Sequence, residues 1–247
     1  MNESQLNSLE RLRKEIPPET DPEILEWCTD ANLCRYLRAR DWDHDKTLFM
    51  LKNSLQWRAT YKPHKITAEE VVGELKNKGK MYRGGYDRYG RPILYMKPRY
   101  DNTGANEREQ KVRYLCYLLE KCHKAALKKD KEKIVLVIDF KDNNQLSNLS
   151  NIKVSQEVLG ILQDHYPETL GVAFITNAPW AFSFFISCMY PFMHPITKSK
   201  IKMVSSNKDY LQVIDPEQLE VDYGGALEFK YDFDQHWNKE DLEFPNL

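Results

Sequence analysis

The sequence has no excess of charge of either sign, since 36 lysines and arginines stand against 37 aspartates and glutamates, for a net charge of −1. A chain so balanced has no global field that would draw it onto nucleic acid, and we expect no nucleic-acid partner. With 41% hydrophobic and 30% charged residues, the composition also excludes a disordered or collagen-like chain. The 247 residues suit a small helical module followed by a medium-sized domain, and we expect a monomer.

The sequence also lacks the cysteine and leader patterns that would indicate a disulfide framework or secretion. Its five cysteines form no C-x-x-C pair, which favours buried reduced thiols over a metal or redox site; they are Cys28, Cys34, Cys116, Cys122 and Cys188. The N-terminal residues contain no apolar stretch of the kind found in signal peptides. We therefore expect a cytoplasmic protein without a metal site.

The usual catalytic signatures are missing as well. The sequence contains no G-x-S-x-G elbow, no phosphate-binding G-x-x-x-x-G-K-[ST] loop and no H-E-x-x-H pair. Asp139 ends a predicted strand and is interpreted as a strand-end hydrogen-bond acceptor, and His165 as a core histidine. The sequence therefore predicts no catalytic residue.

Four segments follow from the patterning along the chain. Residues 1–22 are polar and proline-containing, which predicts a flexible arm, and residues 23–75 form a helical module. Within that module two helices are joined at Asp41–Asp43, where Asp43 or Asp45 can cap the second helix. Residues 76–230 form an α/β domain, and residues 231–247 an acidic tail.

Helices and strands alternate in the α/β domain. A hairpin enters a strand at Pro92–Met96, and a long amphipathic helix precedes the apolar strand at 134–138. A helix near 154–165, a strand at 172–176 and a strand at 201–204 follow. This βαβαβ order predicts an α/β fold with a largely parallel sheet and right-handed crossovers.

No Asp, Glu, Lys or Arg occurs between Glu168 and Lys198, a length that could span a membrane. Gly171, Pro179 and Pro191 interrupt any continuous helix there. The segment is better read as a short strand followed by a helix near 179–190 that is apolar on every side. Such a helix is either a central core helix or the wall of an apolar cavity whose outer face touches a membrane.

Several motifs in order resemble the CRAL-TRIO lipid-binding family, in particular its fungal-type phosphatidylinositol transfer proteins. They are LCRYLRARDWDHDKTLFMLKNSLQWR from Leu33, Tyr89-Gly90-Arg91-Pro92, the segment Leu162–Ile201 and Tyr223-Gly224-Gly225. The resemblance covers roughly residues 31–225. It implies an apolar pocket between a sheet floor and a mobile gate helix, which holds one lipid and performs no covalent chemistry.

The resemblance also implies the residues of that pocket. The gate helix and pocket lining would be Trp180, Phe182, Phe184, Phe185, Ile186, Met189, Tyr190 and Phe192. The floor would be Ile134, Leu136, Ile138 and Phe174. The lipid headgroup would meet Arg40, Glu168, Thr197 and Lys200. Arg and Lys can bind phosphate, Thr can donate to it, and Glu can accept from inositol hydroxyls.

Two departures from the family pattern bear on the ligand. Asp41 stands where close relatives often carry Lys, and Ile134 and Leu136 stand where phosphatidylcholine-binding members carry hydroxyls. The hypothesis is therefore phosphatidylinositol with a second, non-choline ligand such as a sterol. No cofactor is expected beyond the bound lipid, and membrane contact is expected to be transient and peripheral.

Two other functions stay open at this level. The chain could be a lipid-sensing scaffold that presents phosphatidylinositol to a lipid kinase. It could also be an α/β-fold hydrolase, which a Ser or Cys activated by a His in the folded protein would support.

Overall fold

The computed structural model describes residues 1–76, 78–101, 108–142, 149–180 and 182–235, with backbone only for 149–155, 183 and 185. The chain divides into two units. The first contains residues 1–63 and 159–169, and the second contains residues 64–158 and 170–247. Residues 159–169, assigned from sequence to the α/β domain, therefore pack with the N-terminal helices.

The first unit is helical and its helices begin at capping residues. They are α1 (Glu3–Lys14), α2 (Pro22–Trp27), α3 (Asp30–Ala39), α4 (His44–Tyr61) and the end of α7 (Leu149–His165). The predicted cap is confirmed at Asp43, whose carboxylate accepts from the Lys46 amide at 3.1 Å. The turn before it places Asp41 and Trp42 at φ of 52° and 64°. The predicted pair of helices joined by a tight turn is confirmed.

The expected flexible arm is instead mostly a packed helix. Asn2 and Gln5 form a capping box at the start of α1. Leu9 and Leu12 are buried in the same cluster as Leu33 of α3. Leucines three positions apart suffice to anchor a short helix to a core that the rest of the unit supplies, although the surrounding residues are polar.

Within the described residues, the second unit contains a five-stranded sheet in the order β1-β2-β3-β4-β5. The strands are β1 (Met81–Tyr86), β2 (Pro92–Met96), β3 (Ile134–Asp139), β4 (Leu170–Thr176) and β5 (Ile201–Met203). β1 and β2 form the predicted antiparallel hairpin, and β2 through β5 are parallel. The α/β class and the largely parallel sheet are confirmed.

The helices of the second unit lie between and after these strands. They are α5 (Val72–Leu75), α6 (Arg108–Leu127), the first part of α7, α8 (Phe182–Met189), α9 (Pro195–Ser199) and α10 (Lys208–Leu211). Each parallel connection advances by one strand in the same direction, so right-handed crossovers place the connecting segments on one face of the sheet. The residues after β5 cover the other face, where Tyr210, Ile214 and Leu219 are buried against it.

The predicted C-terminal tail is described only at residues 231–235. There Tyr231 donates from its hydroxyl to the Leu75 carbonyl at 2.7 Å. The remaining tail residues, 236–247, lie outside the described residues.

Candidate functional site

The two faces of the central strand β3 differ in exposure. Val135 and Val137 are fully buried under the C-terminal segment. Leu136 and Ile138, on the crossover face, are only half-buried although β3 has a strand on each side. Half-exposed apolar side chains in a central strand indicate open space above this face.

An apolar row crosses this face near the carboxyl ends of the strands. Register pairs Ile138 with a residue of each neighbouring strand, and the row is Met96, Ile138, Ile175 and Met203. Ile134, also on this face, is buried at 2% exposure. Phe174 pairs with Val137 and lies on the opposite face, where its ring packs on Tyr210 at 4.9 Å between centroids. The four predicted floor residues therefore do not share one face.

The apolar helix α8 has one buried and one exposed side. Phe182 and Met189 are 3% and 2% exposed, and the Phe182 ring packs on Phe140 at 5.0 Å. Phe184 on the other side is 66% exposed, and Trp180, before the helix, is 91% exposed. Ile186 is half-buried. The helix is thus neither a wholly buried core helix nor a solvated one.

Exposed aromatic side chains also follow α8. Tyr190 and Phe192 lie in a 3₁₀ turn (Tyr190–Phe192) and are 41% and 60% exposed. Together with Trp180 and Phe184 they are here called the aromatic surface. Phe185, which the resemblance assigns to the gate, has a side chain outside the described residues. No described helix is both long enough and apolar enough to cross a bilayer.

Of the predicted headgroup residues, Thr197 and Lys200 belong to the second unit. They lie one turn apart at the end of α9, and both are half-buried. The Lys200 amide donates to the Thr197 carbonyl at 3.1 Å, and the Lys200 carbonyl accepts from the Ala173 amide of β4 at 2.9 Å. The backbone that carries this hydroxyl and ammonium is therefore fixed to the sheet.

Arg40 and Glu168 belong to the first unit. Arg40 ends α3, where its guanidinium donates from Nη1 to the Ala39 carbonyl at 3.0 Å. It lines a mainly apolar cleft with Phe49 of α4 and with Asp164 and His165, a few positions before Glu168. Arg40 thus borders the same cleft as the segment that leads to Glu168.

A serine and a histidine do meet in this unit, which bears on the hydrolase alternative. Ser54 Oγ lies 3.0 Å from His165 Nδ1 and 2.8 Å from the Asp164 carbonyl oxygen. The carbonyl can only accept, so the hydroxyl proton points to it and His165 donates to Ser54 from Nδ1. Ser54 is fully buried, so its hydroxyl is closed to a substrate. The pair is structural, and His165 stacks on Trp57 at 4.2 Å as part of the core.

Asp139 is the best-connected carboxylate at the carboxyl end of the parallel strands. Its Oδ1 accepts from Asn177 at 2.8 Å and from the Lys141 amide at 2.9 Å, and its Oδ2 from Arg99 at 2.6 Å and from Tyr223 at 3.2 Å. Burial alone would raise the pKa of Asp139, but these donors hold it below its ordinary value. A carboxylate with both oxygens saturated has the predicted structural role rather than a catalytic one.

The described part of the chain holds no group of three or more His, Cys, Asp or Glu side chains that could bind a metal ion. Four of the cysteines are buried reduced thiols, as predicted, and Cys188 is a half-buried reduced thiol. The site is therefore defined by apolar surface, aromatic side chains and a few polar groups.

An open apolar sheet face beside a partly exposed apolar helix is the arrangement of a lipid-binding protein. Residues 76–225 match the CRAL/TRIO domain, and residues 5–53 match the CRAL/TRIO N-terminal domain. The chain belongs to the CRAL-TRIO family, which confirms the resemblance. The family's proteins bind and transfer lipids and are typically not enzymes.

Individual relatives are similar over most of this chain. It is 34% identical over 232 residues to a CRAL-TRIO domain-containing protein of Schizosaccharomyces pombe, covering 91% of this chain and 22% of that protein. It is 32% identical over 222 residues to the phosphatidylinositol transfer protein PDR17 of Saccharomyces cerevisiae, covering 85% and 61%. The SEC14 cytosolic factor of Candida glabrata is 30% identical over 244 residues, with 92% and 80% covered. The chain thus spans less than two thirds of the length of the Schizosaccharomyces pombe protein and of PDR17.

A solved structure supports the fold independently. The crystal structure of Sfh5 superposes with a TM-score of 0.70, covering 95% of this chain and 91% of that chain at 19% identity. At this identity the likeness shows the CRAL-TRIO fold alone. Fold and family are shared, whereas the ligand must be argued from the residues of this chain.

Proposed function

We propose that this protein binds phosphatidylinositol in an apolar pocket over its sheet and transfers it between membranes without covalent chemistry. The observation that carries the proposal is the half-exposed pair Leu136 and Ile138 on a central strand. In an ordinary core these side chains would be covered by packed neighbours. A lipid above this face would remove them from water.

The physical task explains why such a protein needs apolar walls rather than a nucleophile. Each CH₂ moved into water costs about 0.8 kcal/mol, so two acyl chains of about 30 carbons together cost about 25 kcal/mol. Only a cavity that buries nearly all of that area can lift a lipid from a bilayer. The row from Met96 to Met203 supplies such a surface.

The headgroup roles remain as the resemblance implies. In the second unit, Lys200 would bind a phosphate and Thr197 would donate to it. In the first unit, Arg40 would offer its guanidinium to a phosphate and Glu168 would accept from inositol hydroxyls. Asp41 beside Arg40 is exposed in the tight turn and reduces the positive charge there. Thr197 and Lys200 share one helical turn, which supports their acting on a single group.

The floor argues against choline-lipid recognition through strand hydroxyls. Ile134 and Leu136 place alkyl groups where that recognition would need donors, and both lie on the crossover face. The proposed second ligand is therefore apolar and lacks choline, a sterol being one example. Equal transfer rates for phosphatidylcholine and phosphatidylinositol would contradict this part of the proposal.

Membrane contact is proposed to be peripheral and to use the aromatic surface of Trp180, Phe184, Tyr190 and Phe192. Aromatic side chains of this exposure are costly in water and suit the membrane interface. Lys198 packs over the Tyr190 ring at 5.6 Å and can meet lipid phosphates at the rim. No Asp or Glu occurs from residue 169 to residue 208, so no carboxylate in this segment opposes an anionic surface.

Lys200→Ala tests the headgroup site. We expect it to lower phosphatidylinositol transfer between vesicles about 10-fold, since a charge-assisted contact to phosphate is worth about 1.5–3 kcal/mol. Uptake of a fluorescent sterol should change little. Lys202→Ala is the matched control, because Lys202 is exposed and pairs with Phe174 on the opposite face. Equal effects of the two variants, or equal loss of both ligands, would refute the assignment of Lys200.

A further inference from the structure

The six residues from Asp164 to Thr169, here called the 164–169 segment, are held by side chains of α3 and α4. Three of the segment's backbone carbonyls accept hydrogen bonds from them. Ser54 Oγ donates to the Asp164 carbonyl at 2.8 Å, the Tyr36 hydroxyl to the His165 carbonyl at 3.0 Å, and Arg35 Nε to the Pro167 carbonyl at 3.1 Å. The contacts connect parts of the sequence more than a hundred positions apart.

The donors of these hydrogen bonds are buried. Ser54 and Tyr36 are 0% exposed and Arg35 is 1% exposed. Burial raises the pKa of Tyr36, so its phenol stays protonated and remains a donor at any pH the protein meets. A buried donor that loses its acceptor carries the cost of desolvation, so these three donors hold the segment's carbonyls firmly.

Ring contacts hold the same segment from the side. The His165 ring stacks on Trp57 at 4.2 Å with 4° between the planes. Tyr166, buried at 5% exposure, meets Trp57 edge to face at 5.9 Å. The segment is therefore fixed through its backbone and through its side chains.

These contacts constrain the backbone of Glu168, the proposed acceptor for inositol hydroxyls. Its φ is 56°, in the left-handed region, which costs a non-glycine residue about 1–2 kcal/mol. The ring of Pro167 restricts the backbone just before Glu168. The Thr169 hydroxyl donates to the Pro167 carbonyl at 3.5 Å. A strained residue persists only when its surroundings over-determine it, and here α3 and α4 do so.

We propose that Tyr36 and Ser54 are positioning residues for Glu168, so that α3 and α4 set how well Glu168 accepts from a lipid headgroup. This rests on the proposed function, since Glu168 matters to the ligand only if it meets the headgroup. Neither residue touches the lipid in this account. They act by fixing the carbonyls on the N-terminal side of Glu168.

Tyr36→Phe is the test, because it deletes one hydroxyl and keeps the ring. Loss of one buried hydrogen bond is worth about 0.5–1.5 kcal/mol, so we expect phosphatidylinositol affinity to fall about 2- to 12-fold. Affinity is measured with vesicles of phosphatidylcholine containing phosphatidylinositol. Tyr114→Phe is the matched control, since Tyr114 is fully buried and its hydroxyl donates to the Met81 carbonyl at 2.5 Å in the second unit.

A double-mutant cycle with Glu168→Ala, which removes the acceptor, separates positioning from a general loss of stability. If Tyr36 acts through Glu168, Tyr36→Phe should have almost no effect on affinity in the Glu168→Ala background. Ser54→Ala should behave in the same way, and it provides the test if Tyr36→Phe does not fold. An undiminished effect in the Glu168→Ala background, or an effect matched by Tyr114→Phe, would overturn the proposal.

The cycle also tells two failures apart. Unchanged phosphatidylinositol affinity in Glu168→Ala alone would remove Glu168 from the headgroup site, and the positioning proposal would fall with it. Reduced affinity in Glu168→Ala beside unchanged affinity in Tyr36→Phe and Ser54→Ala would leave the site intact and refute positioning alone.

Discussion

His165 couples the stability of the first unit to pH, and His165→Phe tests this coupling. The pKa of His165 is lowered from 6.5 to about 4, mainly by burial and to a smaller extent by the positive charge of the nearby Arg58 guanidinium. The His165 imidazole is therefore protonated below about pH 6.5 in the unfolded chain but only below about pH 4 in the folded protein. The contribution of His165 to stability is fully present above pH 6.5 and is lost as the pH falls toward 4.

The size of the effect follows from the pKa difference. Each pKa unit corresponds to about 1.4 kcal/mol, so between pH 7 and pH 5 the loss could reach about 2 kcal/mol. The ring is only half-buried, and the face of Trp57 would attract an imidazolium. We therefore expect a loss of about 1–2 kcal/mol over this range.

The assay is urea denaturation of the wild type and of His165→Phe at pH 7, 6 and 5. Phenylalanine retains a ring against Trp57 but cannot be protonated, so the difference in unfolding free energy isolates the imidazole from the carboxylates that also titrate. The wild type should lose about 1–2 kcal/mol relative to the variant between pH 7 and pH 5. Parallel pH profiles for the wild type and His165→Phe would refute the reasoning.

Two further predictions concern α1 and the aromatic surface. Leu12→Ala should lower the free energy of unfolding by about 2–4 kcal/mol in urea, because Leu12 is fully buried, and a change below about 0.5 kcal/mol would restore the flexible-arm interpretation. Trp180→Ala should weaken co-sedimentation with anionic vesicles about 10-fold, since a large aromatic group reaching the membrane contributes about 1.5–3 kcal/mol. Tyr89→Ala, at an aromatic residue 59% exposed between β1 and β2, should bind vesicles as the wild type does. Equal binding by all three proteins would remove the aromatic surface from membrane contact.

Local patterns were enough to predict most of the fold. Apolar spacing located α3, α4, α6 and the strands, and the largely parallel sheet followed from the alternation of helix and strand. The cap at Asp43 was predicted because its chemistry lies within three residues of the chain. α1 was missed because its two buried leucines are few and prolines follow them, so its stability depends on the core it joins.

The candidate site was predictable only where one strand or one helix determines it. The alternation within β3 placed Leu136 and Ile138 on one face, but Phe174 was assigned to that face without the register. Val137 pairs with Phe174 because of the register between β3 and β4, and the sequence alone does not determine that register. Ser54 and Tyr36 carry no sequence signal for positioning, because in a helical pattern they are ordinary residues and their partners lie far along the chain.

The central claim is that an apolar lipid occupies the space above the sheet. Organic-solvent extraction of the purified protein, followed by mass spectrometry of the extract, tests it most directly. We expect close to one phosphatidylinositol or other apolar lipid per chain, carried through purification or taken up from liposomes. Absence of lipid under both conditions would mean that side chains fill the space, and the lipid-transfer account would be contradicted.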